Sequence, residues 1–276
     1  LSRSRPRAIV AAQNAMNNYH THTYRCHHAQ GDVADYVAEA ARAGLGELGF
    51  SEHCPYPDGR WGATHMDIDA FPGYLAALRE AKSASAADPR LPRILAGLEC
   101  EWLPERESTL REEFLGRIGL DYLAAGIHSY WHRGEWRDTF AISEASELAS
   151  FAATTCGAME SGLFAFLAHP DVFMFSWMPW DENARACAAD ILSTAERTGC
   201  PLEINGYGMR KRKVAAPSGP RSPYPHEEFW RLASGYDISC VVNSDAHRPV
   251  DTAACLTEGR TIAARHGLTV LDCISI

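Results

Sequence analysis

The sequence predicts a protein of the α/β class that folds as a distorted (β/α)7 TIM-like barrel. With residues 18–21 counted as the first, seven predicted strands alternate with stretches of helical periodicity, and this alternation is typical of parallel strands joined by helices. A length of 276 residues suits one such barrel, and a hydrophobic fraction of 46% provides ample core. Histidines and acidic residues stand at the ends of several runs. In a parallel barrel these ends share one face, where binding sites are built.

Apart from the first, which is residues 18–21, the predicted strands are short apolar runs, and most of them end in a polar or histidine residue. Their lengths lie within the ordinary range for strands of globular proteins. In chain order they cover residues 18–21, 48–53, 94–102, 122–129, 164–171, 201–206 and 238–247.

The predicted helices fill the segments between the strands. The first covers residues 33–44, where Val33 and Tyr36 fall on one helical face. Asp32 is a suitable N-cap for this helix, and Gly44 is a suitable C-terminal stop. Further helices are predicted at 71–84, 143–159, 182–199 and about 225–234.

The chain is predicted to form a single barrel domain over residues 18–276. Residues 1–17 are basic at their start and lack the apolar stretch of a signal peptide. We therefore expect a leader that is disordered or foreign to the native chain. The nine cysteines are odd in number and include no C-x-x-C pair, which favours reduced thiols and a cytoplasmic location over a disulfide framework.

The net charge narrows the class of partner. A formal charge of −9 argues against a nucleic acid polymer, which requires a basic face. No run of eighteen apolar residues occurs, so no membrane partner is expected. A small anionic substrate stays open because a local cluster of arginine and lysine can oppose the overall charge. No pattern in the sequence indicates the oligomeric state.

The residues at the strand ends predict a metal site. Alternation along a strand puts His20 and His22 on the same side, where two imidazoles can bind one ion. A buried glutamate such as Glu99 is costly without a partner, which favours a ligand or ion-pair role. The other candidates at or just beyond the ends of runs are His53, His128, His169, Asp245 and His247.

Each candidate also has an ordinary structural interpretation. Asp245 alone could be a helix N-cap, and His53 could belong to a turn. Cys26 and Cys54 stand beside candidate histidines and could be ligands, although cysteines more often fill small buried spaces. The convergence of so many candidates on one predicted face favours a metal site over satisfied core histidines.

Six short motifs occur in an order that resembles a known family. They are HTH at 20–22, GFSEH at 49–53, GLE at 97–99, GIHS at 126–129, AHPD at 168–171 and SDAH at 244–247. Together they resemble the polymerase-and-histidinol-phosphatase (PHP) superfamily over about residues 18–255. Residues 20–31 and 205–213 are similar to the histidinol-phosphatase branch. The motifs are specific for the superfamily and less specific for the substrate.

The resemblance implies a site for two to three divalent metal ions. One ion would take His20, His22, Glu99 and Asp245. A second would share Glu99 and add His128 and His169, and a third would take His28, His53 and His247. His28 is preferred to His27 because the family places this ligand six residues beyond the second histidine of HTH. An imidazole-rich shell with a few carboxylates suits zinc, iron or manganese better than calcium or magnesium.

A phosphoesterase site also needs groups that bind the phosphate and the rest of the substrate. Arg210 resembles the arginine that the family uses on phosphate, and the rigid fork of arginine matches phosphate geometry. With Glu99 and Asp245 it completes the predicted catalytic residues. The other predicted substrate contacts are Arg25, Lys211, His132 and Trp61.

The resemblance implies hydrolysis of L-histidinol phosphate to L-histidinol and phosphate, a step of histidine biosynthesis. We expect a metal-bridging hydroxide to attack phosphorus, with the leaving oxygen protonated by a metal-bound water or by His132. A second hypothesis is a PHP phosphoesterase acting on another small phosphomonoester or a nucleotide-type phosphodiester. An amidohydrolase would also begin with H-x-H but often needs a lysine at a mid-barrel strand end, which is not found. A catalytically inactive, metal-stabilised binding module is the remaining alternative.

Overall fold

The fold is built on a parallel sheet that curls into a half-barrel. The computed structural model describes residues 16–216 and 219–276. Its strands are β1 (Glu47–His53), β2 (Arg93–Cys100), β3 (Tyr122–Ala125), β4 (Ser129–His132), β5 (Glu135–Asp138), β6 (Phe166–Leu167), β7 (Leu202–Asn205), β8 (Ser239–Asn243) and β9 (Thr269–Val270). Seven of them form one sheet in the order β1-β2-β3-β6-β7-β8-β9, with every pair parallel. This architecture confirms the predicted barrel class.

Helices connect the strands in the alternation that the sequence predicts. They are α1 (Val33–Ala43), α2 (Phe71–Ala87), α3 (Ala145–Glu160), α4 (Glu182–Thr198), α5 (Gly206–Arg210), α6 (Glu227–Ala233) and α7 (Leu256–Arg265). The five predicted helices are all present. Asp32 is the N-cap of α1 and forms a capping box with Asp35. Gly44 is the C-cap and has the left-handed conformation.

Alternate side chains of the strands fill two separate parts of the core. In β2, Leu95 belongs to a small cluster with Tyr122 and Val241, and this cluster contains no helix residue. Its neighbours Ile94 and Ala96 belong to the large cluster that also includes the buried faces of the helices. The sheet therefore has a helix-covered face and an inner face filled by its own side chains.

The segment 18–22 closes the gap between β1 and the chain that follows β8. The amide of Gly49 donates to the Asn18 carbonyl at 2.8 Å, and the amide of His22 donates to the Ala246 carbonyl at 2.9 Å. The predicted strand at 18–21 needs correction, because the segment makes single bridges to two different neighbours instead of a continuous ladder.

Several elements differ from the sequence prediction. The predicted strand at 164–171 shrinks to β6, because His169 adopts a left-handed φ of 31° and Pro170 has no amide hydrogen for a ladder. The β4–β5 hairpin, α7, β9 and a π-helical stretch (Thr109–Ile118) have no counterpart in the prediction. The three strands among them, β4, β5 and β9, are only two to four residues long, too short to show a periodic pattern.

Most of the predicted leader, residues 1–15, lies outside the described residues. The side chain of Asn17 accepts a hydrogen bond from the amide of Glu47 at 2.8 Å, so the chain from this point packs against the sheet. The extent of the single domain stays a prediction. Among the residues that are described, no helix is both long and apolar enough to cross a bilayer.

Candidate metal centre

The ends of the parallel strands and the segment 18–28 bring all nine predicted ligands to one place. Their side chains form the base of a cavity of about 390 Å³, which they line or lie directly beneath. We call this set the floor: His20, His22, His28, His53, Glu99, His128, His169, Asp245 and His247. We call the remaining side of the cavity the wall, which includes Trp61, Trp136, Arg137, Asp138, Phe140, Tyr207 and Lys211.

Glu99 lies at the centre of the floor and presents its two oxygens to different histidines. Its Oε2 atom lies 3.4 Å from Nε2 of His20 and 3.5 Å from Nε2 of His22. Its Oε1 atom lies 3.0 Å from Nε2 of His169 and 3.7 Å from Nε2 of His128. A carboxylate in this position can bridge two cations.

Asp245 completes the group around His20 and His22. Its Oδ1 atom lies 3.6 Å and 3.3 Å from the Nε2 atoms of these two histidines. Its Oδ2 atom accepts a hydrogen bond from Nδ2 of Asn205 at 3.0 Å, which fixes the carboxylate. Asp245 has a φ of 50° and His169 a φ of 31°, conformations that cost energy in residues other than glycine and cluster at functional sites.

A third group of histidines lies at the side of the floor nearest α1. The Nε2 atoms of His28 and His247 are 3.0 Å apart, and His53 lies within ligand range of His22 and His247. His53 also places Nδ1 3.2 Å from Glu99 Oε2, so it lies between two groups. His27 is instead exposed near Asp67, and the geometry therefore favours His28.

Several buried polar atoms of the floor have no hydrogen-bond partner within the described chain. An unpartnered buried polar atom is costly, and a cation would satisfy these. They are Nε2 of His20, both ring nitrogens of His22, Nδ1 of His53, Nδ1 of His169 and Oδ1 of Asp245. The donor set, imidazole nitrogens with two carboxylates, fits divalent transition-metal ions.

The electrostatics of the floor keep its carboxylates ionised. Burial acts to raise the pKa of Glu99, but the imidazoles of His20, His128 and His53 outweigh it and hold that pKa well below its usual range. Burial likewise acts to raise the pKa of Asp245, and the surrounding imidazoles again lower it well below its usual range. The ionised carboxylate is the form that binds a metal ion.

The histidines divide into two electrostatic classes. Burial and then the neighbouring imidazole of His22 lower the pKa values of His53 and His247 well below the usual range. Both are therefore neutral, as metal ligands must be. Burial also acts to lower the pKa of His20, but three neighbouring carboxylates raise it well above the usual range. Those carboxylates attract a positive charge to this point, and a metal ion can take the place of the proton.

Two buried glutamates that the sequence interpretation missed orient floor histidines. Nδ1 of His20 donates to Oε1 of Glu203 at 2.7 Å, and the amide of His169 donates to Oε2 of the same residue at 3.0 Å. Nδ1 of His128 donates to Oε1 of Glu101 at 2.8 Å. The two ring bonds fix the orientations of His20 and His128 and direct their Nε2 atoms toward the floor, and the amide bond holds the backbone of His169.

A third such glutamate, Glu52, lies 3.5 Å from Nδ1 of His22 and accepts the amide of Thr23 at 2.7 Å. A signal for all three was present in the sequence. Glu52 and Glu203 interrupt apolar strands, and Glu101 directly follows one. The cost of burying an unpartnered carboxylate, applied above to Glu99, applies equally to them.

Gly126 allows the central carboxylate to occupy its position. A Cβ atom at Gly126 would lie 2.1 Å from Oε1 of Glu99, closer than any ordinary contact. The glycine of the GIHS motif is therefore required by the approach of Glu99 to the backbone.

The two neighbouring cations Arg210 and Lys211 have different surroundings. Lys211 lines the cavity, and its Nζ lies 4.1 Å from the centre of the Tyr207 ring. Arg210 lies behind the floor, where Nη2 donates to the Asp245 carbonyl at 3.3 Å and Nε lies 3.9 Å from Asp251. α5 ends at Arg210, and Lys211 is extended with a ψ of 158°, so the two side chains diverge.

Arg25 and His132, like Arg210, are predicted as substrate contacts but lie outside the cavity lining. Arg25 forms an ion pair with Asp32, because that N-cap carboxylate of α1 is within reach, and it does not line the cavity. His132 bonds through Nδ1 to Oγ of Ser150 at 2.9 Å and also lies outside the lining. Trp61 does line the cavity.

The fold and the floor define a barrel protein built to hold divalent metal ions. A PHP domain model matches residues 18–206, and the chain belongs to this family. It is 29% identical over 279 residues to a Deinococcus radiodurans protein named "Probable histidinol-phosphatase", an alignment that covers 90% of this chain and 95% of that protein.

Two solved structures share the fold. One is histidinol phosphate phosphatase HisK from Lactococcus lactis, in complex with zinc, L-histidinol and phosphate. It has a TM-score of 0.71 and 16% identity, over 95% of this chain and 99% of that one. The other is HisK from Listeria monocytogenes, with a TM-score of 0.66 and 19% identity, over 85% of this chain and 96% of that one. At these identities the likeness concerns the fold.

Proposed function

We propose that this chain is a metal-dependent phosphomonoesterase that hydrolyses L-histidinol phosphate to L-histidinol and phosphate. The position of Glu99 carries the proposal, because its two oxygens face separate sets of buried histidine nitrogens. A bridging carboxylate suits a pair of ions about 3.5–4 Å apart, the spacing of two-metal phosphoryl-transfer sites. The name of the Deinococcus radiodurans relative supports the choice of substrate.

The floor would hold two or three ions of zinc, iron or manganese in the three groups described above. When bound, such ions supply a water of lowered pKa and Lewis-acid stabilisation of the phosphate oxygens. The bridging hydroxide expected from the sequence is part of this proposal. The cysteines are free, nine in number, which supports action in a reducing compartment such as the cytoplasm.

The chain's own residues position the substrate and maintain the floor. Lys211 is the cation of the wall best placed to contact a phosphate oxygen, since the other cation, Arg137, is bound to Glu135 at 2.9 Å. Arg210 holds the backbone of Asp245 and so acts as a positioning residue. Fixed charges of this kind are the main catalytic contribution in phosphoryl transfer.

The wall also offers a surface for a ring. Trp61 and Trp136 pack edge to face with their ring centres 5.7 Å apart, and both line the cavity. An imidazole group would pack against such a pair. This arrangement supports a phosphoester that carries a ring.

Phosphate release from L-histidinol phosphate, measured with metal-quantified protein, tests the proposal. The comparison panel contains other phosphomonoesters and small phosphodiesters, each with and without a chelator. We expect a kcat/KM for L-histidinol phosphate well above the panel and loss of activity on chelation. Preference for a diester would favour the second phosphoesterase hypothesis, and no hydrolysis at full metal loading would favour a binding module.

A further inference from the structure

The β4–β5 hairpin brings one acidic side chain into the wall of the cavity. Four carboxylates line the cavity in the described chain: Glu99, Glu101, Asp138 and Asp245. Glu99 and Asp245 face the floor histidines, and Glu101 orients His128. Asp138 alone among them touches no candidate ligand through its side chain.

Asp138 has an oxygen available for a ligand. Its Oδ1 atom accepts the amide of Phe140 at 2.8 Å, and this bond holds the carboxylate in place. Across residues 16–216 and 219–276, no lysine, arginine or histidine lies within ion-pair distance of it. The adjacent Arg137 is bound to Glu135 and Glu147 instead. The carboxylate is thus oriented by one hydrogen bond and has no charge partner.

The backbone fixes Asp138 relative to the floor. Asp138 pairs with Ser129 across the antiparallel hairpin, and Ser129 directly follows His128. The amide of Thr139 donates to the carbonyl of His128 at 2.8 Å. A residue held in this way to a candidate ligand presents its charge at a set position, which reduces the entropic cost of binding.

The charges in the cavity therefore suit a substrate with two opposite groups. Lys211 and a floor loaded with metal ions would favour an anion, and Asp138 favours a cation at the hairpin side. We propose that Asp138 accepts the primary ammonium group of the substrate and selects phosphomonoesters that carry an amine. The inference rests on the proposed function and deepens it, since L-histidinol phosphate carries such an amine between its ring and its phosphate.

Two substrates and one conservative variant test this inference. The substrates are L-histidinol phosphate and the same ester with the amine replaced by hydrogen. Asp138→Asn removes the charge but keeps a good N-cap acceptor for Phe140, so the hairpin keeps its geometry. We expect kcat/KM for the amine substrate to fall about fivefold to tenfold, the scale of a partly exposed charged hydrogen bond, and kcat/KM for the amine-free ester to stay unchanged.

Glu80→Gln is the control, because it removes one negative charge from an exposed residue of α2 that lies outside the cavity lining. It should leave the ratio of the two kcat/KM values as in the wild type. An equal loss on both substrates in Asp138→Asn would overturn the inference, since it would indicate a structural role. Equal effects of the two variants would do the same. If the wild type hydrolyses neither ester, the proposed function itself fails, and the inference falls with it.

Discussion

The floor and the wall of the cavity are built in different ways. The floor side chains extend from the ends of parallel strands and from the segment 18–28, and Glu99 and Asp245 are 1% and 4% exposed. The wall consists of hairpin and loop side chains such as Asp138, which is exposed, and Trp136, which is half-buried. The sheet fixes the floor, whereas the wall can change without disturbing it. We infer that the floor residues support hydrolysis of the phosphoester, whereas the wall residues determine substrate specificity.

The largest effect should come from the centre of the floor. Glu99→Gln keeps the shape of the side chain but removes the charge shared by the two histidine groups. We expect bound metal to fall below one ion per chain and turnover to drop more than about 100-fold, beyond the usual cost of losing an outer partner of a ligand. Mass spectrometry measures the bound metal, and steady-state kinetics measure kcat. Glu105→Gln, on the surface, is the control, and unchanged metal content in Glu99→Gln would contradict the bridging assignment.

Gly126→Ala tests the floor without removing a ligand. The added methyl group would displace the Glu99 carboxylate, and a shift of about 1 Å in a site of this kind can cost about 100-fold in rate. Gly73→Ala is the matched control, because a Cβ atom there meets nothing within 4 Å. Wild-type kcat and metal content in Gly126→Ala would show that the floor tolerates movement.

Glu101→Gln tests the support of the floor. The variant weakens the bond that orients His128, so we expect metal affinity to fall about 10- to 100-fold. Saturating metal should then restore most of the activity, which a lost ligand would not allow. Calorimetric titration of the metal-free protein with the metal ion measures this affinity. Equal kcat losses in Glu101→Gln and Glu99→Gln at saturating metal would remove the distinction between ligand and support.

The smallest effect should come from the wall. Lys211→Ala should raise KM for a phosphomonoester about tenfold and change kcat less, because the lost contact is with a bound phosphate oxygen. Arg210→Ala should instead lower metal affinity, since it removes the support of the Asp245 backbone. Steady-state kinetics and metal titration of both variants decide this. A raised KM in Arg210→Ala with lowered metal affinity in Lys211→Ala would instead indicate that Arg210 contacts the phosphate, as the sequence resemblance implies.

The same division explains what the sequence could predict. Many floor residues follow from strand-end placement, because His128 and His169 each stand where a run of apolar residues stops, and Asp245 follows soon after another. Which side chains form the wall depends on the direction of the backbone over a few residues. The hydrophobic periodicity of the sequence does not encode that direction. Arg210 and Lys211 are neighbours in sequence, yet only the end of α5 determines which one faces the cavity. Arg25 appeared available because its pairing with Asp32 depends on a three-dimensional turn.

The segment 18–22 joins the beginning of the chain to its far end. The side chain of Asn18 donates to Ser244, a separation of 226 positions, and His20 and Asp245 meet at the same seam. Contacts of such long range form late, because a large loop must close first. During synthesis, His20 and His22 therefore cannot contact Asp245 until nearly the whole described chain has emerged from the ribosome. A chain cut before residue 247 has no complete floor, so tight metal binding would report that synthesis has passed the last predicted ligand and that this part of the chain has folded.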